Sequence, residues 1–190
     1  MPISKSLLIL GTPRSGKTTL AEMIADRYGF SFKSTDALVQ TFREVLPELE
    51  MHLEPNKSES KLAPFLFKYM YWTAAKPAFG NRNYVFEGCH ISPKTANQMI
   101  DKNLYNLVVL GCPSLTPEQF VQEIKSNDKP YDWTYKKSDE ELYQMGQDYI
   151  NSGKQAESEC KELGIKFIDT SFDRESKLKE FVDSLEDFLK

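Results

Sequence analysis

The sequence predicts a three-layer α/β/α fold, in which helices cover both faces of a five-stranded parallel sheet. Two observations lead to this prediction. First, five short apolar segments have the composition of buried strands, and segments with helical periodicity separate them. Strands that alternate with helices are joined by crossover connections, which make them parallel. Second, 190 residues are enough for one well-packed core with inserted loops. We therefore expect residues 1–190 to form a single domain.

The predicted strands end beside glycine or polar residues; they lie at 6–10, 30–36, 83–88, 104–111 and 165–171. The predicted helices carry apolar residues on one face; they lie at 17–28, 36–51, 62–76, 91–100, 115–125, 138–163 and 178–188. Gly29 and Gly164 follow two of these helices as C-terminal stops. Ser92 and Ser138 begin two others as N-caps. Pro47 is expected to kink or interrupt the second helix.

Two segments interrupt the alternation of strands and helices. The first, 36–79, is long, helical and rich in aromatic residues, and it follows the second strand. The second, 125–137, is polar with little periodicity, and it precedes the longest helix. Functional residues are often carried by such segments, because they surround the ligand while the sheet stays rigid.

The charge and composition argue against several classes of function. There are 24 Lys and Arg residues against 28 Asp and Glu, a net charge of −4, and no basic cluster offers a nucleic-acid surface. No apolar run approaches the ~20 residues that cross a bilayer, so no membrane partner is expected. The cysteines, Cys89, Cys112 and Cys160, lack metal-ligand spacing and are interpreted as reduced thiols of a cytoplasmic protein.

The segment between the first strand and the first helix fits the phosphate-loop pattern G-x-x-x-x-G-K-[ST] at every fixed position. Glycines let the main chain turn several N–H groups inward, and the following helix adds the positive end of its dipole. Lys17 is expected to contact the outer phosphates, and Thr18 to offer its hydroxyl to Mg²⁺. The pattern and its context predict a P-loop NTPase fold. The predicted nucleotide-binding residues here are Gly11, Thr12, Pro13, Arg14, Ser15, Gly16, Lys17, Thr18 and Thr19.

Two acidic residues stand at the carboxyl ends of predicted strands, where an open parallel sheet binds its ligands. Glu87 is expected to hold Mg²⁺ or to take a proton from an attacking hydroxyl; alternatively, it caps a turn. Asp36 is expected to bind a substrate hydroxyl or to act as a general base; alternatively or in addition, it is a helix N-cap. The predicted catalytic set is therefore Lys17, Arg14, Asp36 and Glu87, with Thr18 and Glu87 as metal ligands.

Arginine is scarce, and phosphoryl transfer is expected to need a positive clamp on the transferring group. The candidates are Arg14 in the phosphate loop, Arg43 seven residues after Asp36, and Arg82. Arg43 and Arg82, together with Asp36, are predicted to bind the substrate. The segment 125–137 has four lysines and no arginine; its lysines either close over the phosphates or belong to a solvated loop.

These residues and their layout resemble the adenylate-kinase-like small-molecule kinases, a group that includes nucleotide, shikimate and gluconate kinases. The shared features are an N-terminal phosphate loop, a helical insert after the second strand, and a polar segment before the last long helix. The sequence VFEGCHISP, residues 85–93, is similar to the Glu-Gly-x-His segment of kinases related to 2-phosphoglycerate kinase.

The resemblance implies a strand order of 2-3-1-4-5, ATP as phosphoryl donor and Mg²⁺ as cofactor. It also implies that 36–79 binds the acceptor, that 125–137 forms a lid, and that Asp169, Thr170 and Ser171 lie near the adenine base. Lids of this group usually supply arginines, whereas this one has none, and the insert lacks the arginine pairs that commonly grip a nucleoside monophosphate. A non-nucleotide acceptor is therefore favoured, although a nucleotide stays open.

Two functions from different classes are compatible with the sequence. The first is a monomeric or homodimeric kinase that moves the terminal phosphoryl group of ATP·Mg²⁺ to a hydroxyl or phosphate of a small molecule. The second is an ATP-binding regulatory or interaction module with little catalysis. A GTPase switch is disfavoured, because the sequence has no N/T-K-x-D guanine signature.

Overall fold

A computed structural model describes residues 5–75 and 82–190 of the chain. Its centre is a five-stranded sheet in the order β2-β3-β1-β4-β5, and every neighbouring pair is parallel. The predicted three-layer fold and strand order are therefore confirmed. The strands are β1 (Ser6–Gly11), β2 (Ser31–Ser34), β3 (Tyr84–Gly88), β4 (Tyr105–Gly111) and β5 (Lys166–Asp169).

Helices cover both faces of this sheet. In chain order they are α1 (Lys17–Tyr28), α2 (Thr35–Val45), α3 (Glu59–Ala75), α4 (Pro93–Met99), α5 (Pro117–Asn127), α6 (Asp139–Leu163), α7 (Arg174–Asp183) and α8 (Leu185–Phe188). A single 3₁₀ turn, Pro47–Leu49, follows α2 in this part of the chain. Among the residues the model covers, none of the helices has the length and apolar character needed to span a membrane.

The core lies in two layers, because successive side chains of a strand point to opposite faces of the sheet. Leu7 and Ile9 of β1 pack with α1 and α7 on one face. Leu8 and Leu10 pack on the other face with the buried side of α3 and with Cys160 of α6. All four side chains are buried. The central strand therefore holds the loop that follows it in a rigid setting.

The helix ends confirm several predicted signals. Gly29 and Gly164 adopt left-handed conformations after α1 and α6, and Ser92 and Ser138 cap α4 and α6. The cap of α2, however, is Ser34, whose side chain accepts a hydrogen bond from the amide of Asp36. The N-cap alternative for Asp36 was therefore wrong, and its carboxylate is not used in capping.

The helical insert differs in detail from its prediction. Its first helix ends at Val45, before Pro47, because proline restricts the preceding residue to extended conformations. Its second helix begins at Glu59, earlier than predicted, and contains Pro64 near its start. Pro64 is exposed. The predicted end of this insert, near Phe79, lies outside the described residues.

Helix α6 lies close against α5 because a glycine stands at the contact. A Cβ atom on Gly146 would lie 3.0 Å from Cδ1 of Phe120. Tyr149, almost one turn further along α6, makes an edge-to-face contact with the same Phe120 ring at a centroid distance of 6.0 Å. This packing sets the position of Tyr149 relative to the sheet.

Candidate functional site

A cavity of about 940 Å³ opens at the carboxyl edge of the sheet. Its wall is formed by the loop after β1 and the start of α1, the start of α2, the loop before α3, and the end of β3. The segment after α5 and single residues of α6 and α7 complete it. Ligands of open parallel sheets bind at this edge, because the loops that follow the strands converge there.

The loop after β1 has the backbone conformation of an anion cradle. Gly11, Arg14 and Gly16 have positive φ angles of 146°, 64° and 91°. A side chain at Gly11 is impossible, since its Cβ would lie 1.9 Å from the carbonyl oxygen of Leu110 in β4. The two fixed glycines of the motif are therefore explained by geometry.

Lys17 is buried, with only 7% of its surface exposed, and its Nζ donates a hydrogen bond of 2.7 Å to the carbonyl of Thr12. The hydroxyl of Ser15 donates to the same carbonyl at 2.8 Å. The ammonium group is thus held at the rim of the cradle by one neutral acceptor. An entering phosphate oxygen is a stronger partner, because the hydrogen bond it accepts is charge-assisted.

The predicted phosphate-binding residues divide into two groups. One group lines the cavity: Pro13, Arg14, Gly16, Lys17, Thr18 and Thr19. The other group, Gly11, Thr12 and Ser15, lies behind the wall and shapes the loop. The free amides of the first turn of α1 point towards the same space, because the N-terminal N–H groups of a helix have no partner within it.

Arg14 is held by the segment after α5. Its Nη2 donates to Oδ1 of Asp128 at 3.0 Å, and its Nη1 lies 3.5 Å from Oδ2 of Asp132. The hydroxyl of Thr134 donates to Asp128 at 2.6 Å and holds that carboxylate in place. The backbone amide of Lys129, and then Arg14, keep the pKa of Asp132 below its usual value. The segment therefore brings carboxylates to an arginine of the phosphate loop.

Glu87 ends β3 and lies opposite Ile9 of β1 in the ladder. Only 4% of its surface is exposed, and it lines the cavity together with Lys17. Burial raises the pKa of Glu87, and the charge of Lys17 opposes this effect. The carboxylate oxygens of Glu87 and the hydroxyl of Thr18 are hard donors of the kind that Mg²⁺ prefers, so this part of the site fits that ion.

Asp36 stands in the first turn of α2 and faces the same cavity. Its Oδ1 lies 2.9 Å from Nε2 of His90, a side chain that is 1% exposed. Burial works against the charged form, but the hydrogen bond from His90, with smaller effects of its charge and of Lys17, keeps the pKa of Asp36 below its usual value. Asp36 is therefore an ionised carboxylate, and His90 Nε2 carries the proton of the hydrogen bond.

Cys89 follows directly after β3, next to His90 in the sequence, and also lines the cavity. Burial raises the pKa of its thiol to about 12. Ligand atoms of Asp36, Cys89 and His90 all lie within 4.8 Å of one another. This end of the cavity thus offers a carboxylate and a thiol, with a buried imidazole bonded to the carboxylate.

Two predicted substrate-binding arginines are not brought to the cavity. Arg43 is exposed on α2 and donates to Gln40, one turn away, at 3.1 Å. Arg82 is exposed and precedes β3, so it lies at the amino edge of the sheet, opposite the phosphate loop. Their assignment to the substrate site is corrected on this geometry.

Asp169, Thr170 and Ser171 do not line the cavity, and Thr170 contacts the phosphate loop. The hydroxyl of Thr170 donates to the carbonyl of Ser15 at 2.9 Å, and that of Ser171 donates to Asp169. Asp169 also accepts from the hydroxyl of Ser114 at 2.8 Å. These bonds occupy their side chains, so the geometry adds nothing to their assignment near the adenine base, which stays a prediction.

Arg174, at the start of α7, was not predicted as a site residue. It lines the cavity, forms an ion pair with Glu123 of α5, and packs its side chain near Gly16. Its position could have been anticipated, because the chain between β5 and α7 returns to the carboxyl edge of the sheet. Trp133 and Tyr135 of the predicted lid are both exposed, and of the two only Trp133 lines the cavity.

Solved structures with a similar fold include shikimate kinases. The shikimate kinase of Acinetobacter baumannii, in complex with shikimate, matches with a TM-score of 0.55 and 14% identity, covering 100% of this chain and 97% of that one. The shikimate kinase of Bacteroides thetaiotaomicron matches with a TM-score of 0.54 and 15% identity, covering 97% and 98%. The fold is that of the P-loop kinases. No protein-family model matches the sequence, and no curated protein matches it significantly.

Proposed function

We propose that the protein is a kinase that transfers the terminal phosphoryl group of ATP·Mg²⁺ to a hydroxyl group of a small, uncharged acceptor. One observation carries the proposal: the phosphate cradle with Lys17 and the ionised carboxylate of Asp36 face a single cavity. A cradle alone accounts for nucleotide binding. A carboxylate opposite the cradle adds a group that can accept a proton from an attacking hydroxyl.

In the proposed reaction, the acceptor oxygen attacks the γ-phosphorus while the bond to the bridging β–γ oxygen breaks, and ADP leaves. Asp36 accepts the hydroxyl proton, since it is ionised and faces the cavity. His90 is a positioning residue, because it fixes one carboxylate oxygen of Asp36 from within the core and leaves the other for the acceptor. Lys17 and the helix amides bind the phosphate oxygens.

Magnesium fits the hard donors of Thr18 and Glu87. When bound, Mg²⁺ neutralises charge on the β- and γ-phosphates. The protein contributes a hydroxyl on the first turn of α1 and a carboxylate at the end of β3. Glu87 is buried beside Lys17, and a cation would further favour its ionised form.

The charges on the cavity wall favour an uncharged acceptor. In the part of the chain that the structure covers, four basic residues line the cavity: Arg14, Lys17, Lys129 and Arg174. Arg14 and Lys17 belong to the cradle, Lys129 to the lid and Arg174 to the start of α7. The opposite wall offers Asp36, Gln40 and Glu54, which suit hydroxyl groups better than a phosphate or a carboxylate. We therefore favour a polyhydroxylated molecule over a nucleoside monophosphate.

The lid of this kinase is the segment 125–137, anchored through its aspartates to Arg14. Closure of such a segment excludes water and limits wasteful hydrolysis. In this arrangement the arginine stands in the phosphate loop and the lid contributes the carboxylates. The lack of lid arginines is therefore compatible with a lid that closes.

The test is an acceptor screen that measures ADP release in Mg²⁺ buffer with a panel of polyols, sugars, hydroxy acids and nucleoside monophosphates. We expect an uncharged polyhydroxylated compound to raise turnover well above slow hydrolysis. The Lys17→Ala variant gives the background rate. If ATP binds and no acceptor raises turnover, the kinase proposal fails and the ATP-binding regulatory module takes its place. If ATP itself does not bind, both fail.

A further inference from the structure

The end of β3 carries a cluster that the proposed kinase reaction does not fully use. It consists of Asp36, Cys89 and His90, whose ligand atoms lie within 4.8 Å of one another. We propose that these three residues bind a divalent transition metal of the zinc class, at a site distinct from that of Mg²⁺. The site would be reached from the cavity, because Asp36 and Cys89 line it.

The donor set selects the class of metal. A thiolate, an imidazole and a carboxylate are ligands of Zn²⁺ and Co²⁺, whereas Mg²⁺ is bound by oxygen atoms. Bonds of about 2.0–2.3 Å to such donors bring the ligand atoms of a tetrahedral site to within about 4 Å of one another. The observed separations therefore require small side-chain movements. The metal would take the place of the proton between Asp36 and His90, which are 2.9 Å apart.

A second observation concerns His90 itself. The side chain is 1% exposed, and its Nδ1 has no hydrogen-bond partner among the residues the structure describes. Nε2 is bonded to Asp36, so the ring is held in the cluster by only one of its two nitrogens. A metal ion on Nε2 would hold the ring more firmly, because a metal–nitrogen bond would replace this single hydrogen bond.

Three protein ligands leave a fourth position open towards the cavity, which is the arrangement of exchangeable metal sites. The ion is therefore expected to bind reversibly. One consequence rests on the proposed function: an ion at this site withdraws the Asp36 carboxylate from the acceptor. Zinc-class ions would then act as inhibitors that Mg²⁺ does not displace.

The test uses Co²⁺ as a spectroscopic probe on the full chain without nucleotide. We expect one equivalent of Co²⁺ to produce a thiolate-to-cobalt charge-transfer band in the near ultraviolet, and Zn²⁺ to remove it. Cys89→Ser should abolish the band, and His90→Gln should weaken Co²⁺ binding tenfold or more. Cys112→Ser is the matched control, because this thiol lies against Thr170 and not in the cluster; the band should persist.

The proposal is overturned if no thiolate band forms, or if the band survives Cys89→Ser. It is also overturned if His90→Gln binds Co²⁺ as tightly as the unaltered chain. Circular dichroism and thermal unfolding establish that each variant is folded, and His52→Gln, at the exposed second histidine, controls for loss of an imidazole. No step requires ATP, so a failure here is separate from a failure of the kinase proposal.

Discussion

The two ends of the cavity are built in different ways. The phosphate end is made largely from one continuous segment, residues 11–19, and much of its binding capacity lies in main-chain amides. The acceptor end, which is the part proposed to receive the phosphoryl acceptor, is made from side chains of separate elements: Asp36 of α2, the residues after β3, and Tyr149 of α6. One end is encoded locally, and the other depends on the tertiary fold.

This difference determines which side chains at each end of the cavity can be exchanged without loss of the other end. A main-chain cradle is the same for any triphosphate, because its partners are amide groups that every sequence possesses. Side chains that converge from distant elements can be exchanged one at a time without loss of the cradle. Specificity for the acceptor is therefore expected to reside in the second end, where substitutions should separate binding of nucleotide from turnover.

The largest effect is expected at the phosphate end. Lys17→Ala removes the only ammonium held within the cradle of the described chain, so kcat/KM should fall on the order of 10³-fold. The ATP-induced rise in Tm should also be lost. Lys102→Ala, at an exposed lysine, should leave both unchanged. A Lys17→Ala protein that keeps its ATP-induced thermal shift would contradict the cradle assignment.

At the acceptor end, Asp36→Asn should reduce turnover on the order of 10²-fold, because the amide cannot accept the acceptor proton. ATP affinity, measured by calorimetry, should change little. Glu44→Gln on the same helix is the control, since its side chain is exposed. If ATP affinity falls together with turnover, the two ends are not separable as described.

The ion pair between Arg14 of the phosphate loop and Asp128 of the lid is tested by Asp128→Asn. This change weakens a partly buried, charge-assisted hydrogen bond to Arg14, an interaction worth about 1.5–3 kcal/mol. The lid should open more often, so ATP hydrolysis without acceptor should rise relative to transfer. The measurement is the ratio of the two rates, with Glu140→Gln as an exposed control. If the ratio of the two rates is unchanged, the contact of Arg14 with the lid has no role in lid closure.

The pairing of His90 with Asp36 is tested by pH. The hydrogen bond and charge from His90 lower the pKa of Asp36, so the base stays ionised to low pH. In His90→Phe this support is lost, the pKa of Asp36 rises, and the acidic limb of the kcat profile should move to higher pH. In His90→Gln, which keeps a hydrogen-bond donor, the acidic limb should move up in pH by less than in His90→Phe. If the acidic limb of the kcat profile does not move in His90→Phe, His90 contributes packing and does not lower the pKa of Asp36.

The smallest effect concerns stability. Because the folded state raises the pKa of Glu87, its charge opposes folding once the pH is above the value of an unfolded glutamate. Glu87→Gln should therefore raise Tm by a few degrees at neutral pH, given about 2–4 °C per kcal/mol for a chain of this size. The gain should shrink as the pH falls below the ordinary glutamate pKa. Scanning calorimetry at several pH values measures it.

The sheet and the phosphate cradle could be predicted from the sequence because their signals are local. The alternation predicts parallel strands and the resemblance implies their order, while the loop geometry follows from two fixed glycines beside a buried strand. Asp36 and Glu87 could be found as well, since the carboxyl ends of parallel strands share an edge. The same rule places Arg82, which precedes a strand, at the opposite edge. Its assignment was an error that topology alone could have prevented.

What the sequence could not provide are contacts between distant segments. Arg14 and Asp128 are 114 residues apart, and Asp36 and His90 are 54 apart. No periodicity links such positions, so their pairing depends on how the loops fold back over the sheet. Asp169, Thr170 and Ser171 show the converse case. They stand at the carboxyl edge of the sheet, but the hydroxyl of Thr170 bonds to the phosphate loop and that of Ser171 bonds to Asp169.

Gly146 has an effect well beyond its own position. A methyl group there would crowd the Phe120 ring, and the long helix would have to shift or tilt away to make room. Tyr149 would move with it, and the cavity would change its width on the side where it is lined by Tyr149. The absence of one carbon atom, on a residue with no role in the proposed chemistry, thus helps to fix how large an acceptor the proposed kinase could hold.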